Sequence, residues 1–351
     1  MSSKRRVMAE WEPQQCVEIA WPDEQTDWAP TLAEAVACYR DIVREIVRHE
    51  ELLIVAHDRR RVEKDLQGID LEKVTIIEAQ YNDTWVRDYG FISVCDGGQV
   101  KLLDFKFNGW GLKYAANYDN LVNIKLFDEY FKQRGYKYES HLDTVLEGGS
   151  IESDGGATLL TTHSCLRTIN RNGTTDYRLL HDMLGALLKP GRFLWLEGGI
   201  LAGDDTDGHI DQIVRLEPSR RKALIVSTDD TSDEHYETLR RLSESLSECA
   251  APTQANYEQV RLPLPDAVRD PEIGERLPAS YANYLIINGA VLVPIYGVRQ
   301  DDEALKIIGS VFPERETVGI NCRALVRQRG SLHCATMQYP SQSIAAQKYN
   351  E

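Results

Sequence analysis

The 351-residue chain carries 40 Lys and Arg residues against 55 Asp and Glu residues, a formal net charge of −15. Hydrophobic residues make up 42% and charged residues 27%, a composition that excludes a disordered or collagen-like chain. So acidic a chain lacks the basic face that neutralises phosphates, and we expect no nucleic-acid partner. The length allows two domains of about 150 residues or one large α/β domain.

Targeting signals and cysteine usage predict a cytoplasmic protein. The charged residues 4–6 are followed by a polar stretch instead of the apolar core of a signal peptide. The apolar run 284–296 is interrupted by Asn288 and Gly289 and is too short to span a bilayer, so no membrane partner is expected. The seven scattered cysteines form no CxxC pair, which is typical of a reducing compartment.

Short apolar runs bounded by Gly, Asp, Asn or Pro recur along the chain and predict β-strands. In chain order they cover residues 16–20, 52–56, 74–78, 100–105, 157–161, 193–196, 210–216, 223–227, 284–287 and 291–294. Apolar residues at helical spacing lie between these runs. Candidate capping boxes (Thr31 with Glu34, Thr231 with Glu234) predict two helix starts, and shorter helices are predicted over residues 176–189 and 302–312.

No linker or low-complexity stretch divides these elements. The word LEGG occurs twice, at residues 146–149 and 196–199, which hints at an internally repeated unit. We therefore predict a single α/β domain over residues 1–351, built from repeated strand–helix modules.

The most polar segment is GDDTDGHID at residues 203–211. On a strand, His209 and Asp211 would project from the same face, because side chains alternate along a strand. An imidazole beside a carboxylate supplies an acid or base together with an anion for a cationic substrate. A calcium loop fails, because the EF-hand template has an acid where Gly203 stands. A solvated acidic turn is the simplest alternative.

Three further segments carry reactive or charged groups. In NDTWVRDYG (residues 82–90), Asp88 is a candidate anion, although it could simply pair with Arg87 on the surface. Glu147 precedes a glycine pair that allows close approach to the backbone, or merely forms a turn. In GSLHC (residues 330–334), Cys334 alone resembles a buried structural cysteine. Neighbours on a strand point to opposite faces, so His209 is a better base for this thiol than His333.

Together and in this order, the segments resemble the agmatine deiminase family, in the bacterial peptidyl-arginine-deiminase-like branch of the guanidine-modifying (pentein) superfamily. The words that carry the resemblance are AEWEPQQCVEIAWP, NDTWVRDYG, DFKFNGWG, LEGGSIE, GDDTDGHID, SYANYLIINGAVLVP and GSLHC. The last segment, GSLHC, differs from the GGGxHC form of many family members but keeps a glycine at its first position, Gly330. The resemblance implies a five-fold pseudosymmetric α/β propeller of about 70 residues per module, with a central site and no metal or organic cofactor.

The resemblance also assigns roles to individual residues. Cys334 would be the nucleophile and His209 the group that transfers protons, while Asp88 and Asp211 would bind the guanidinium in charge-assisted hydrogen bonds. Glu147 would either bind a guanidinium nitrogen or orient His209.

The expected substrate is agmatine, a small cationic guanidine that would yield N-carbamoylputrescine and ammonia. Trp85 would pack along its methylene stem. Free arginine would additionally need cationic groups for its carboxylate, and peptidyl-arginine would need an open cleft. Because twofold dimers are the commonest oligomers, a homodimer is the default expectation.

Two other classes of protein remain as alternatives. A dinuclear manganese ureohydrolase would use a DxHxD pattern, which residues 207–211 match, but its partner motif SxDxDxxDP is absent and Cys334 would have no role. A non-catalytic polyamine-binding protein would use the carboxylates as a cation pocket and release no ammonia.

Overall fold

The structure is a computed structural model that describes residues 5–251 and 257–343. Its strands form five small sheets of three or four strands each. The strands within the described residues are β1 (Arg6–Val7), β2 (Gln14–Ala20), β3 (Glu51–Ala56), β4 (Val74–Glu78), β5 (Ile92–Asp96), β6 (Gln99–Lys106), β7 (Lys137–Val145), β8 (Glu152–Ser153), β9 (Thr158–Thr162), β10 (Arg192–Leu196), β11 (Val214–Leu216), β12 (Lys222–Ser227), β13 (Glu258–Pro263), β14 (Leu285–Ile287), β15 (Ala290–Ile295), β16 (Glu316–Asn321) and β17 (Met337–Pro340).

Helices connect the strands and cover the sheets. They are α1 (Leu32–His49), α2 (Arg59–Asp65), α3 (Val86–Tyr89), α4 (Gly109–Leu112), α5 (Asp119–Leu126), α6 (His163–Leu166), α7 (Ile169–Asn172), α8 (Tyr177–Leu188), α9 (Tyr236–Ala250), α10 (Asp301–Val311) and α11 (Arg323–Val326). Single 3-10 turns lie at Ala29–Thr31, Lys132–Arg134, Gly148–Ser150 and Ile210–Gln212, and a π turn at Phe127–Phe131.

One connection recurs in every sheet. Two neighbouring strands pair antiparallel, and a third strand then pairs parallel to the second, after a helical crossover. Thus β11 and β12 are antiparallel, and β13 follows α9 to lie parallel to β12. In the sheet ordered β17-β2-β3-β4 the antiparallel partner of β2 is β17, the last strand of the described residues, so segments more than 300 positions apart share one sheet. The mixed α/β class is confirmed; the pseudosymmetric arrangement of the five sheets stays a prediction.

The predicted helices all form, but neither capping box does. In α1 the buried residues follow helical spacing, as expected of a helix that covers a sheet. The Thr31 side chain makes no capping hydrogen bond, because the 3-10 turn Ala29–Thr31 runs directly into α1. Thr231 lies outside α9, which begins only at Tyr236 after an additional turn in which Asp233 accepts the backbone N–H of His235.

The strand predicted over residues 210–216 is shorter than expected. Residues Ile210–Gln212 form a 3-10 turn, closed by N–H donation from Gln212 to the carbonyl of His209, and β11 begins at Val214. The same-face argument for His209 and Asp211 is therefore wrong. The turn, rather than strand alternation, directs these side chains to the site described below.

The polar segments occupy the junctions at which one sheet ends and the next begins along the chain. Asp88 lies between β4 and β5, Glu147 between β7 and β8, and His209 and Asp211 between β10 and β11. Cys334 lies between β16 and β17. The fold therefore brings together residues that are far apart in the chain by supplying each from a different junction.

The repeated LEGG word marks two equivalent junctions. Its first copy directly follows β7, the last strand of one sheet, and its second copy begins with the final residue of β10, the last strand of the next. Glu147 of the first copy is 1% exposed, whereas Glu197 of the second faces solvent and pairs with Arg241 at 2.8 Å. The repeat is therefore structural, and only one copy contributes to the site.

Two further observations concern the cysteines and the helices. All seven cysteines are free thiols. Across residues 5–251 and 257–343, none of the helices combines the length and the apolar character needed to traverse a bilayer.

Candidate active site

The junction segments meet at a cavity of about 330 Å³. Cys334, Asp88 and Trp85 line it directly. His209 and Asp211 lie close behind, against Gly149: a methyl group placed there would lie 2.6 Å from His209 Nδ1, 2.8 Å from Asp88 Oδ1 and 3.1 Å from Asp211 Oδ2. Three of the sequence-predicted polar groups therefore converge on one small volume.

Cys334 lies in a turn immediately before β17 and is 5% exposed. Its Sγ lies 3.4 Å from Asn283 Nδ2, 3.6 Å from Gln212 Nε2 and 4.0 Å from Asp211 Oδ2. Burial, followed by the charges of Asp211 and Asp88, raises the pKa of this thiol well above its ordinary value. Cys334 is therefore a neutral thiol in an acidic, amide-lined corner of the cavity.

Asp88 is held by two donors from other parts of the chain, one in the connection between β6 and β7 and one in the junction between β7 and β8. Trp110 Nε1 donates to Asp88 Oδ2 at 2.8 Å, and the backbone N–H of Gly149 donates to Oδ1 at 3.0 Å. Trp110 reaches this position from a left-handed backbone conformation with φ of 54°. Burial raises the pKa of Asp88 to about 6, although the nearby His209 charge lowers it.

The two carboxylate oxygens of Asp211 differ in their hydrogen bonding. Its Oδ2 lies 2.8 Å from His333 Nδ1, while Oδ1 is buried and has no hydrogen-bond partner among the described residues. Burial alone would raise the pKa of Asp211, but the His333 contact outweighs it and lowers that pKa. A buried anion with an unfilled acceptor calls for a ligand that donates hydrogen bonds.

His209 and Glu147 form a pair supported by Arg171. His209 Nε2 lies 2.8 Å from Glu147 Oε2, and Arg171 donates to both Glu147 oxygens at 2.9–3.0 Å. Burial opposes a charged His209, but the negative charge of Asp88 and the Glu147 hydrogen bond outweigh it and raise the His209 pKa well above its ordinary value. His209 Nδ1, 3.6 Å from Asp88 Oδ1, has no hydrogen-bond partner in the described part of the chain.

One group of side chains has the composition of a metal site. The donor atoms of Glu147, Cys165 and His209 all lie within 4.8 Å of one another. The Arg171 guanidinium occupies the Glu147 carboxylate, however, and places a positive charge where a metal cation would have to bind. These residues therefore do not fit a resident metal.

The DxHxD pattern of the alternative manganese site is also dispersed. Asp207 is drawn away from His209 and Asp211, because its carboxylate pairs with Lys113 at 2.9 Å and with Arg171 at 2.7 Å. The three potential ligands do not converge on one cation.

Trp85 forms a wall of the cavity. Its indole packs edge-on against Trp28, with ring centroids 5.6 Å apart. Gly330 lies directly beneath the ring: a methyl group there would come within 2.5 Å of the indole. This contact explains why the segment GSLHC keeps glycine at position 330 although it lacks the other glycines of the GGGxHC form.

Several residues of the site were not identified from the sequence. Trp110 and Asn283 lie inside words that carried the resemblance, but an indole and an amide have no chemical signature on their own. Gln212 adjoins Asp211. Arg171 belongs to no motif, and its contact with Glu147, 24 positions away, exists only in the folded chain.

Comparisons with known proteins identify the relatives of this chain. The model of the Porphyromonas-type peptidyl-arginine deiminase family matches residues 6–340. An agmatine deiminase of Medicago truncatula is 32% identical, with 95% of this chain and 96% of that protein covered.

Solved structures give the same result. A Porphyromonas gingivalis structure, provisionally assigned as an arginine deiminase, is 45% identical, with a TM-score of 0.89 and coverage of 97% of this chain and 99% of that one. The substrate-bound agmatine deiminase of C. jejuni is 32% identical, with a TM-score of 0.88 and coverage of 95% and 96%. The resemblance seen in the sequence is confirmed, and the chain belongs to the Porphyromonas-type peptidyl-arginine deiminase family.

Proposed function

We propose that this chain is an agmatine deiminase, which hydrolyses agmatine to N-carbamoylputrescine and ammonia through a covalent cysteine intermediate. The observation that carries the proposal is the thiol of Cys334, 4.0 Å from Asp211 Oδ2 in a cavity that Asp88 also lines. A thiol facing two carboxylates suits a cation whose carbon is the electrophile. The agmatine deiminases among the relatives support the same reaction.

Binding of the guanidinium follows from its shape and charge. The group is planar, permanently cationic and carries its N–H donors in a fixed fork. Asp88 Oδ1 and the unfilled Asp211 Oδ1 are the acceptors that it would meet. Binding would fill the free acceptor of Asp211 and compensate two buried negative charges.

The same cation activates the nucleophile. Without substrate, Cys334 stays protonated near neutral pH, because burial and the two carboxylates raise its pKa. A guanidinium bound between Asp88 and Asp211 compensates their charge and lowers the pKa of the thiol, whose proton leaves to solvent. The nucleophile therefore forms only beside its target.

The chemical steps use His209 twice. The thiolate attacks the guanidinium carbon, a C–S bond forms, and a tetrahedral adduct results. Protonated His209, through its unpartnered Nδ1, donates a proton to one amino nitrogen, and that C–N bond breaks to release ammonia. Water then adds to the amidino carbon while neutral His209 accepts its proton. The hydroxyl of this second adduct then gives its remaining proton to solvent as the C=O bond forms, and the C–S bond breaks, which returns the thiolate and frees the ureido product.

We assign Glu147 to the orientation of His209 rather than to substrate binding. Both carboxylate oxygens are engaged by Arg171, and Oε2 also contacts His209 Nε2. Burial is outweighed by these contacts, which lower the Glu147 pKa and keep the group anionic. A fixed anion on Nε2 leaves Nδ1 of the imidazolium directed at the reaction.

Agmatine is favoured over arginine by the charge at the cavity mouth. Asp83 and Asp205 line the mouth, and neither carboxylate has an ion-pair partner in the described part of the chain. Burial raises the pKa of Asp83 to about 8, and burial also raises that of Asp205. An ammonium group would stabilise the ionised form of these carboxyl groups, whereas the carboxylate of arginine would keep them protonated and gain no compensating charge from them.

The arginines at the mouth do not reverse this preference. Arg329 pairs with Glu275 at 2.8 Å, and Arg327 lies 3.3 Å from Glu272. Their charges are already compensated. A carboxylate-bearing substrate would have to displace these partners.

The direct experiment measures ammonia and N-carbamoylputrescine from the wild type and Cys334→Ser, with agmatine, arginine and an arginyl peptide as substrates. We expect ammonia from agmatine alone, unaffected by EDTA, and a loss of at least a thousandfold in Cys334→Ser. Cys249→Ser, which changes a half-buried thiol outside the cavity, is the matched control and should retain activity.

Other outcomes identify the alternatives. Urea in place of ammonia, lost with EDTA, would indicate the ureohydrolase. Faster turnover of arginine or of the peptide would mean that this compound, and not agmatine, is the substrate. Saturable agmatine binding without product would indicate a polyamine-binding protein.

We infer a cytoplasmic location and a homodimer as well. The free thiols support a reducing compartment, and the frequency of twofold symmetry supports the dimer. Light scattering on the purified chain measures the mass directly, and a monomer would contradict the second inference.

A further inference from the structure

The imidazole of His333 lies between two buried carboxylates. Its Nδ1 is 2.8 Å from Asp211 Oδ2, and its Nε2 is 2.7 Å from Glu10 Oε2. His333 and Asp211 are at most 2% exposed, and Glu10 is 7% exposed. Glu10 belongs to the segment between β1 and β2, so three distant parts of the chain meet at this ring.

Both contacts have hydrogen-bond length, which constrains the protonation of the ring. A neutral imidazole has one N–H, so its other nitrogen would present a lone pair to a carboxylate. Glu10 is held as an anion, since Arg215 donates to its Oε2 at 2.8 Å and the backbone N–H of Ile286 donates to Oε1 at 2.6 Å. Burial of Glu10 would raise its pKa, but the charge of Arg215 outweighs the burial and lowers that pKa well below its usual range.

The backbone of His333 is held in place next to the nucleophile. Asn283 Oδ1 accepts the backbone N–H of His333 at 3.0 Å, and Cys334 is the next residue. On its other side, the His333 ring occupies Asp211 Oδ2 and leaves Oδ1 as the only open acceptor of that carboxylate. His333 thus adjoins the thiol through a backbone that Asn283 holds, and its ring contacts the carboxylate that faces the thiol.

We propose that His333 is a positioning residue: a buried imidazolium that holds Asp211 as an anion with one oxygen open, and that offsets the negative charge around Cys334. This role rests on the proposed function for its catalytic consequence, but not for the geometry. The charged groups that face the ring are Asp211, Glu10 and, behind Glu10, Arg215, while Arg87 donates to the His333 carbonyl at 3.3 Å.

The test uses His333→Gln, which keeps a hydrogen-bond donor and removes the cation. The rate at which iodoacetamide alkylates the Cys334 peptide is followed against pH by mass spectrometry, with no need for agmatine. We expect the profile to move to higher pH by about one unit, because the charge of Asp211 and Glu10 is no longer offset. With agmatine, kcat/KM should fall by about tenfold or more, mainly through KM.

His57→Gln is the matched control. His57 is another buried histidine paired with a carboxylate, 2.7 Å from Asp23, outside the cavity. It should lower stability similarly but leave the alkylation profile of Cys334 unchanged. An unchanged profile in His333→Gln, or the same shift in His57→Gln, would overturn the proposal.

A second measurement on the wild type does not depend on a folded variant. Nitrogen-15 spectra of histidine-labelled protein, recorded at the pH of the activity assay, should show both ring nitrogens of His333 protonated, because each lies at hydrogen-bond distance from a carboxylate oxygen. One protonated and one unprotonated nitrogen would refute the imidazolium. A wild-type protein that is inactive but still shows both nitrogens protonated would contradict the proposed function, while the assignment of His333 as an imidazolium would stand.

Discussion

Asp88 and Asp211 have similar burial but opposite tendencies to hold a proton. Burial raises the pKa of Asp88 to about 6, whereas the contact with His333 lowers that of Asp211. Two carboxylates on one cation site would otherwise repel each other, and this difference decides which one protonates first. At the residue scale, Asp88 is the group that sets the acid side of the pH dependence.

We therefore expect agmatine binding to weaken as the pH falls through about 6, where Asp88 becomes neutral. The folded pKa is raised, so the charged form needed for binding exists only above it. Calorimetric titration of Cys334→Ser with agmatine between pH 5 and 8 measures this without turnover. Affinity that stays constant down to pH 5 would contradict the assignment.

Asp83 offers a test of the substrate tail. Asp83→Asn should reduce the preference for agmatine over n-butylguanidine, which lacks the ammonium, by about tenfold, the size of one charge-assisted hydrogen bond. The two compounds share the reacting guanidine, so the ratio of their kcat/KM values measures the contribution of the terminal ammonium group separately from the reaction itself. Asp229→Asn, an exposed carboxylate outside the cavity, should leave the ratio unchanged. An unchanged ratio in Asp83→Asn would exclude this carboxylate from the amine site.

At the scale of elements, the site depends on turns at the ends of strands more than on the strands themselves. The ten predicted strands all correspond to observed ones, because their apolar runs are buried. The missed strands include β7, β13 and β16, which lie at sheet edges and are only partly buried, so their polar residues hide the pattern. The turn at Ile210–Gln212 was missed because local spacing cannot distinguish a polar strand start from a 3-10 turn.

Gly149 shows how little space such a turn leaves. Gly149→Ala should abolish turnover while the protein stays folded, because its methyl group would lie within 3.1 Å of His209, Asp88 and Asp211. Gly185→Ala is the control: this residue lies inside α8 with open space around it, so alanine should stabilise the fold by about 0.5–1 kcal/mol. Activity assays and urea unfolding of both variants measure the contrast, and an active Gly149→Ala would refute the convergence of these groups.

At the scale of the whole molecule, buried charges connect segments that the sequence keeps far apart. Arg215 on β11 is fully buried and contacts Glu10 at 2.8 Å, Glu152 at 3.2 Å and the carbonyl of Tyr284 at 2.6 Å. No sequence motif could have predicted this group, because Arg215 and Glu10 are 205 positions apart and each charged residue alone resembles a surface charge. The segments that resemble the family contain the residues proposed to react, but only the fold shows which side chains support them.

Replacing Arg215 with methionine should cost about 3–5 kcal/mol in the free energy of unfolding, because Glu152 would remain buried without a cation and Glu10 would keep only its contact with His333. Urea denaturation measures the change. Arg261→Met, which removes an exposed pair with Asp229, should cost at most about 1 kcal/mol. Equal effects in the two variants would mean that the buried group does not hold the sheets together.

The most direct measurement is the mass of the enzyme after an acid quench during agmatine turnover. The account predicts a species heavier by agmatine less ammonia, with the added mass on the peptide that contains Cys334. Added mass on another residue, or ammonia released by Cys334→Ala at the wild-type rate, would contradict it.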